Sequence, residues 1–337
     1  MRTPIFVSSL LVTALLAAPA PAQRAANGSP TTSPRAATAP RVLLHRTPPT
    51  GQWRSSIAVS GDRVFLSHAG VLESVPRGGG AVERIDDAVD APVAAGPTSV
   101  QWLEGGSLHR SMPLPHGPVS PRPTTLLSFA PARRGNVALV GETLVSASML
   151  DGIDVRPVAN GPVIRRMSGQ HVSAIATAGD DVFLIASGSV MRFSMRTDAV
   201  THLASTGDGQ GIAVDGEFVY WSVLGPGTVV PNGPAPPGAK VPSCFLDSTV
   251  YRAGEVWRVR RAGGKAERVV GGVEDIGAIV VGRSSVFIQQ GGTGGLTFRA
   301  PKSGGIARRV GMFAAIATDG PDVFALDDKG DLVTFAD

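Results

Sequence analysis

Ile212-Ala213-Val214-Asp215-Gly216-Glu217-Phe218-Val219-Tyr220-Trp221-Ser222 has the form of a strand, a tight turn and a second strand. Asp-Gly between two short β-prone runs is a hairpin signal, because glycine accepts the positive φ that such turns require. Downstream, past a long insertion, Gly254-Glu255-Val256-Trp257-Arg258-Val259 supplies a third strand. The turn Ala262-Gly263-Gly264-Lys265 follows it, and Glu267-Arg268-Val269-Val270 supplies a fourth. The stretch therefore predicts a four-stranded antiparallel unit.

The same series recurs along the chain, and a fixed recurrence outweighs any local signal. From Ile175 it runs through Gly179-Asp180, Val182-Phe183-Leu184, Gly188 to Phe193 and Val200 to Leu203. From Ile57 it runs through Gly61-Asp62, Val64-Phe65-Leu66, Gly70 to Pro76 and Val82 to Ile85. From Ile279 it runs through Val286-Phe287-Ile288, Gly295 to Arg299, Ser303-Gly304-Gly305 and Ala307 to Val310. Weaker copies start at Val93 and Val137, and a last one starts at Ile316. A four-stranded repeat of about 40 residues is the pattern of β-propeller blades. The expected fold is all-β, a seven-bladed β-propeller. Six blades remain if the proline-interrupted copy at Val93 is no blade, and eight if the long interval after Ile212 hides another. Pro231, Pro234, Pro236, Pro237 and Pro242 fill that interval, so residues 224–252 are expected to be an insertion loop, since proline removes ladder donors.

The ends of the repeat fit one another. The last copy stops after three strands, at Leu332 to Phe335. The folded part begins with Arg41-Val42-Leu43-Leu44-His45-Arg46, a strand with no hairpin before it. It resembles the fourth strands of other copies and is expected to complete the last blade and close the ring. An unpaired sheet edge is an aggregation template, so closure has a physical purpose.

Before residue 41 the chain looks like export machinery. Arg2, an apolar run from Ile5 to Ala18 and Ala20-Pro21-Ala22 form the three parts of a secretory signal, with cleavage expected after Ala22. Residues 23–40 hold little to bury and are expected to be a disordered linker. The propeller domain then takes 41–337, secreted or periplasmic, with no membrane span after cleavage. Cys244 is the single cysteine, so neither an internal disulfide nor a cysteine-rich metal site is available. The formal net charge is +4. The arginine pairs and runs (Arg133-Arg134, Arg165-Arg166, Arg258 to Arg261, Arg308-Arg309) fall at equivalent places in the repeat rather than on one face. They are expected to be solvent-facing strand positions, and nucleic acid is not an expected partner.

At Asp215-Gly216-Glu217-Phe218-Val219-Tyr220-Trp221-Ser222 the sequence resembles the YWTD repeat of secreted propellers, with Ser222 in place of the threonine. The turns at 261–265 and 301–305 are similar to those of secreted bacterial propellers with YWTD- or NHL-like repeats. The resemblance is confined to the repeat. It implies a propeller, an exported location and extracellular or periplasmic binding, although one fold hosts many functions.

In a propeller the first strand of each blade is innermost. The connections entering it share one face with the turns between strands two and three. Four residues before the seven repeat starts stand Trp53, Val89, Arg133, His171, Asp208, Asp275 and Met312. Beside them lie Asp86, Asp87, Asp90, Gln170, Gln210, Glu274 and Phe313. From these, Trp53, Arg133, His171, Asp208, Gln210, Glu274, Asp275 and Phe313 are the candidate ligand-binding residues. The acidic members would suit a hard cation such as Ca²⁺, which takes oxygen ligands, or they are turn formers in water. The insertion, with Val241, Phe245 and Tyr251, should project over the same face as a lid or a surface loop.

Catalytic signals are sparse. There is no Gly-x-Ser-x-Gly elbow and no His-Glu-x-x-His. Gly207-Asp208-Gly209-Gln210-Gly211 enters a strand, so no helix dipole stands behind it to hold phosphate. Asp215 and Asp319 occupy equivalent turns, which points to a structural role. Three functional classes follow. The leading one is a non-catalytic binding or scaffold module, monomeric, for an extracytoplasmic protein or a small ligand. The second is a lyase or hydrolase using His171, Asp208, Arg133 and a bound metal. The third is a structural surface protein without a specific site.

Overall fold

A computed structural model describes residues 40–46, 55–87, 89–95, 100–104, 107–111, 124–128, 136–140, 143–148, 152–157, 165–167, 171–231, 247–291 and 295–337. Every regular element among them is a strand. Residues 1–39, with the expected signal and nearly all of the linker, lie outside the described residues, as do Trp53, Arg133, Gln170 and Cys244.

The strands fall into antiparallel groups that follow the repeat. Repeat one is β2 (Ser56–Ser60), β3 (Arg63–His68), β4 (Val71–Pro76) and β5 (Glu83–Asp87). Repeat two is β6 (Asp90–Ala95), β7 (Val100–Glu104), β8 (Ser107–Ser111) and β9 (Thr124–Ser128). Repeat three is β10 (Asn136–Val140), β11 (Thr143–Ser148), β12 (Gly152–Pro157) and β13 (Arg165–Met167). Repeat four is β14 (Val172–Ala178), β15 (Asp181–Ala186), β16 (Ser189–Ser194) and β17 (Val200–Ser205). Repeat five is β18 (Gly209–Val214), β19 (Phe218–Val223), β22 (Gly254–Arg260) and β23 (Glu267–Val273). The hairpin β20 (Gly227–Pro231) and β21 (Asp247–Tyr251) is inserted between its second and third strands.

The remaining strands form one seven-stranded sheet. It contains β24 (Ile276–Val281), β25 (Ser285–Gln290), β26 (Leu296–Pro301), β27 (Arg308–Asp319), β28 (Asp322–Asp327), β29 (Leu332–Ala336) and β1 (Arg41–Leu44). Its order is β1-β29-β28-β27-β26-β25-β24. The twelve-residue β27 is the fourth strand of repeat six and the first of repeat seven without a break. Gly311 stands where it crosses from one to the other. A Cβ there would lie 2.6 Å from the Phe313 ring, so the crossing needs glycine.

The register confirms how the repeat was divided. The seven starts pair as Ile57↔Leu66, Val93↔Trp102, Val137↔Ser146, Ile175↔Leu184, Ile212↔Trp221, Ile279↔Ile288 and Ile316↔Ala325. Each partner lies nine positions downstream. The strand before repeat one joins the last strand: β1 pairs with β29 through Arg41↔Thr334, Val42↔Val333 and Leu44↔Leu332. Beyond β1, the Arg46 amide donates to Asp331 Oδ1 at 2.7 Å, and the Arg46 guanidinium pairs with Glu73 of repeat one.

Second strands carry runs of consecutive apolar residues, such as Val64-Phe65-Leu66, Val182 to Ala186 and Val286-Phe287-Ile288, because both of their faces are covered. Side chains alternate across a strand, so Val219 and Trp221 pack toward repeat four, with Phe183, Ile185 and Leu203. Tyr220, between them, packs toward repeat six, with Ile279, Val286 and Ile288. The same sharing joins repeat seven to repeat one through Phe324, Leu326, Ile57 and Leu66. First strands lie side by side in chain order, from β2 with β6 through β24 with β27, and β27 also lies against β2.

Two expectations need correction. Residues 224–252 are not a loop throughout, because β20 and β21 pair from Gly227↔Tyr251 to Pro231↔Asp247. Pro231 sits at the last paired position, where a missing N–H costs least, Pro226 precedes β20, and Pro234, Pro236, Pro237 and Pro242 lie outside the described residues. Arg260, Arg308 and Arg309 are solvent-facing as expected, but Arg258 and Arg261 are half-buried. Arg258 lies 4.5 Å over the Phe218 ring and donates to Glu267 and to the Lys302 carbonyl, and Arg261 reaches repeat four.

Candidate functional site

In repeats four, five and six the connection that enters the first strand is tied by its main chain to the second-to-third connection of the same repeat. The carbonyls of His171, Asp208 and Asp275 accept from the amides of Ser187, Leu224 and Gly291, at 3.0, 3.0 and 2.6 Å. These three carbonyls hold equivalent positions in repeats four, five and six. The tie uses backbone groups only, so the side chains of His171 and Asp208 remain exposed. Gln210 is also exposed, and its amide reaches only the Asp208 carbonyl, at 3.4 Å. Glu274 is exposed, while its carbonyl accepts from Gln290 Nε2 at 2.9 Å. Asp275 is half-buried in a left-handed conformation (φ 45°) against Gly291.

Other members of the expected ring are spent elsewhere. Phe313 is not available to a ligand. It is 5% exposed and stacked on Phe335 with centroids 5.8 Å apart. The register shift between Phe313 and Ala315 breaks the alternation of β27 and turns the ring inward. Asp86 accepts from Trp102 Nε1 at 2.8 Å, and Asp87 from Arg84 Nε at 2.6 Å. The side chain of Asp90 lies outside the described residues. Among the described residues no three His, Cys, Asp or Glu side chains gather as metal ligands, and no hydrogen bond joins His171 to Asp208.

The hairpin arm stands on this face. The Leu224 amide at its first foot bonds to the Asp208 carbonyl, and the Tyr251 carbonyl at its second foot accepts from the Asp275 amide at 2.7 Å. The arm thus rises between the entrances to repeats five and six. Its feet cross closely: the Arg252 amide donates to the Pro226 carbonyl at 3.1 Å, and a Cβ on Gly225 would overlap the Arg252 carbonyl. Val229 on β20 is 64% exposed.

Beside the first foot, a cleft of about 300 Å³ opens between repeats four and five. Ser205, Thr206 and Gly207 form one wall. Trp221, Val223, Glu255, Trp257 and Ala266 form the other. Trp221 and Trp257 are directly opposed across β19 and β22, so their rings share one face of the sheet. Trp221 is buried and Trp257 half-buried. The Trp257 indole N–H donates to Glu255 Oε2 at 2.9 Å, and Arg268 Nη1 donates to Glu255 Oε1 at 2.9 Å. The Thr206 hydroxyl is buried without a hydrogen-bond partner.

The opposite face is built differently. After the third strands of repeats one, five and six comes a cation whose amide bonds to the first turn of its own repeat and whose side chain crosses to the first turn of the preceding one; in repeat four Met195 holds this place and makes the backbone bond alone. Arg77 of repeat one reaches Asp319 and Asp322 of repeat seven at 2.6 and 3.0 Å. Arg261 of repeat five reaches Asp181 of repeat four at 3.3 Å, and Lys302 of repeat six reaches Asp215 of repeat five at 2.7 Å. Each cation also lies over an aromatic ring of the neighbour, respectively Phe324, Phe183 and Tyr220. In repeat seven Asp337 takes this place and accepts from the Ser284 and Ser285 amides and from Arg299. The two glycines that follow the cation have positive φ in all three copies (Gly79-Gly80, Gly263-Gly264, Gly304-Gly305), which fixes the turn and aims the cation. These latches were missed at the sequence level. The recurring cation before Gly-Gly, set against an acid in the first turn of the preceding copy, was the available signal.

No family model and no curated protein matches the sequence. Solved structures do match it. A chain of the mitotic checkpoint complex aligns with a TM-score of 0.58 at 14% identity, over 94% of this chain and 99% of that one. The WD40 domain of Neurospora crassa Pan2 aligns at 0.53 and 10% identity, over 83% and 88%. The chain has a β-propeller-like repeat fold. PorZ, a bacterial surface component of the type-IX secretion system of Porphyromonas gingivalis, aligns at 0.57 and 14% identity over 86% of this chain, which spans 37% of its length. The four-stranded groups follow the repeat of that fold. Among the described residues no helix is long and apolar enough to cross a membrane.

Proposed function

We propose that this chain is an exported, non-catalytic binding or scaffold propeller of seven blades, closed by β1 and freed of its signal after Ala22. Its partner is an extracytoplasmic protein or small ligand, held on the face that carries His171, Asp208, Gln210, Glu274 and the hairpin arm. The cyclic order of first strands and the β1–β29 ladder support seven blades and closure. The observation that carries the functional reading is the arm, whose feet are anchored by backbone bonds at Asp208 and Asp275. An insertion of this length is uncommon unless it is used or disordered, and binding residues concentrate on loops held by a rigid scaffold. The likeness to the YWTD repeat adds the location outside the cytoplasm.

The test is site-specific photo-crosslinking in the native host, with the photoreactive residue at Gln210, at Val229, or at Val310 on the outer strand as control. Positions 210 and 229 should trap the same discrete adduct, position 310 should not, and the mature protein should begin at Gln23. Identical adducts from all three positions, or none from the first two, would remove this face as the binding surface.

A further inference from the structure

We propose that the cleft between blades four and five binds a saccharide, with one pyranose ring seated on Trp257. The inference takes from the functional reading only the location of the cleft, beside Asp208 and the first foot of the arm. Its chemistry stands on the lining itself.

The volume, about 300 Å³, is at the lower end for small-molecule sites. It suits a small ring rather than a folded segment. The wall from blade five is aromatic, and Trp257 offers a particular part of itself. Its N–H is already bonded to Glu255, so the indole has its π face left to give rather than its polar edge. That face carries the negative end of the ring quadrupole and attracts weakly positive C–H groups as well as cations.

The charges argue against an ion. Glu255 is the only ionisable residue lining the cleft, and it is paired with Arg268. No uncompensated charge is left to select a metal or a phosphate. What the lining retains is hydrogen-bonding capacity of both kinds. The Glu255 oxygens have further lone pairs, the Ser205 hydroxyl donates and accepts, and Gly207 brings backbone into reach without a side chain. A ligand that fits has one face of C–H groups and a rim of hydroxyls, and carries no charge of its own. A pyranoside has that form. An aromatic side chain from a partner protein would use the Trp257 face and leave the polar rim unmatched, at a cost for each polar group desolvated without a partner.

The probes are cellobiose and chitobiose on the purified mature protein, followed by tryptophan fluorescence and by saturation transfer to the sugar protons. Saturable binding is expected at a Kd of about 1 mM for such a site, with transfer concentrated on the C–H protons of one ring face. W257A should weaken it at least about ten-fold, equivalent to about 1.4 kcal/mol, while W257F should stay within about three-fold because an aromatic face remains. Thermal melts establish that each variant is folded. If W257A is not, the transfer pattern on the unmodified protein decides. No transfer from either sugar at ten times that concentration would overturn the proposal, as would W257A binding unchanged. Saturable binding of tyrosinamide in place of both sugars would overturn it too, assigning the cleft to a partner's aromatic side chain. None of these outcomes bears on the crosslinks from Gln210 and Val229, so the two readings fail separately.

Discussion

The two ends of this propeller are held together by different parts of the chain. At the end with the first and third turns, side chains do the holding. Arg77, Arg261, Lys302 and Asp337 each leave their own blade and grip the turn of the one before. At the other end main-chain groups do it, through the His171, Asp208 and Asp275 carbonyls. A backbone tie is indifferent to the side chain it passes under. The latched end has committed its charges to blade–blade contacts, and the tied end keeps His171, Asp208, Gln210 and Glu274 in solvent. The fold thus gathers its side-chain latches at one end and leaves polar side chains exposed at the other.

The largest test of this division is at the seam. Removing residues 41–46 deletes β1 with the partly buried Leu43 and Leu44. It also leaves Glu73 and Asp331 without Arg46. The expected loss is about 3–5 kcal/mol from apolar area and from polar groups left unpaired, seen as a fall in Tm of about 5–15 °C. Removing residues 23–39 instead should leave Tm unchanged, and equal melts for the two truncations would mean that β1 closes nothing. Differential scanning calorimetry on both makes the comparison.

A single latch should matter less. In K302M the Asp215 carboxylate loses its cation while keeping the Phe218 and Glu217 amides. The expected cost is about 1–3 kcal/mol, since charged hydrogen bonds are among the stronger ones. D215N should cost a similar amount, and the double variant should cost less than the sum, because the two remove one interaction. The effect has a pH signature. Burial alone would raise the Asp215 carboxyl, but Lys302 and the Phe218 and Glu217 amides outweigh it and hold it below its ordinary value. A carboxyl lowered in the folded state adds stability that is complete above its unfolded pKa, about 3.9, and is lost as pH falls through the folded value. In urea melts, the gap between the unmodified protein and D215N should therefore be flat from about pH 5 to 8 and narrow below about pH 4. A gap that widens in acid would reverse the assignment.

The contrast between the ends also marks what could be read from the sequence. The repeat was legible to the residue because turn glycines and apolar runs are local, and all seven starts pair nine positions on. The pairing of β1 with β29 was legible because Arg41 to Leu44 resembles the fourth strands of other copies. The latches were not. Lys302 and Asp215 lie 87 positions apart, and neither turn alone tells which blade the lysine will reach. Phe313 was chosen by its distance before the start at Ile316, and that spacing carries no sign of the register shift between Phe313 and Ala315 or of the buried stack on Phe335. The insertion looked like a loop because its prolines crowd the middle, while its paired ends, Gly227 to Pro231 and Asp247 to Tyr251, are short. The cleft had no linear signature at all, since its walls come from residues near 206, 222, 256 and 266.

The smallest effect is the most informative about the tied end. If the backbone bonds of His171, Asp208 and Gly291 hold that face, then H171A, D208N and E274Q remove nothing structural. Exposed positions without special contacts usually change stability by no more than about 0.5 kcal/mol, so each variant should melt within about 2 °C of the unmodified protein. Replacing residues 227–250 by a short Asn-Gly turn, which keeps the feet at Pro226 and Tyr251, should be nearly as silent in stability, because β20 and β21 pair only with each other, yet it should abolish the crosslink from position 210. A melt lowered as far as that of K302M by any of the three point variants would mean that side chains brace this end as well, and the division between a face for holding and a face for binding would be lost.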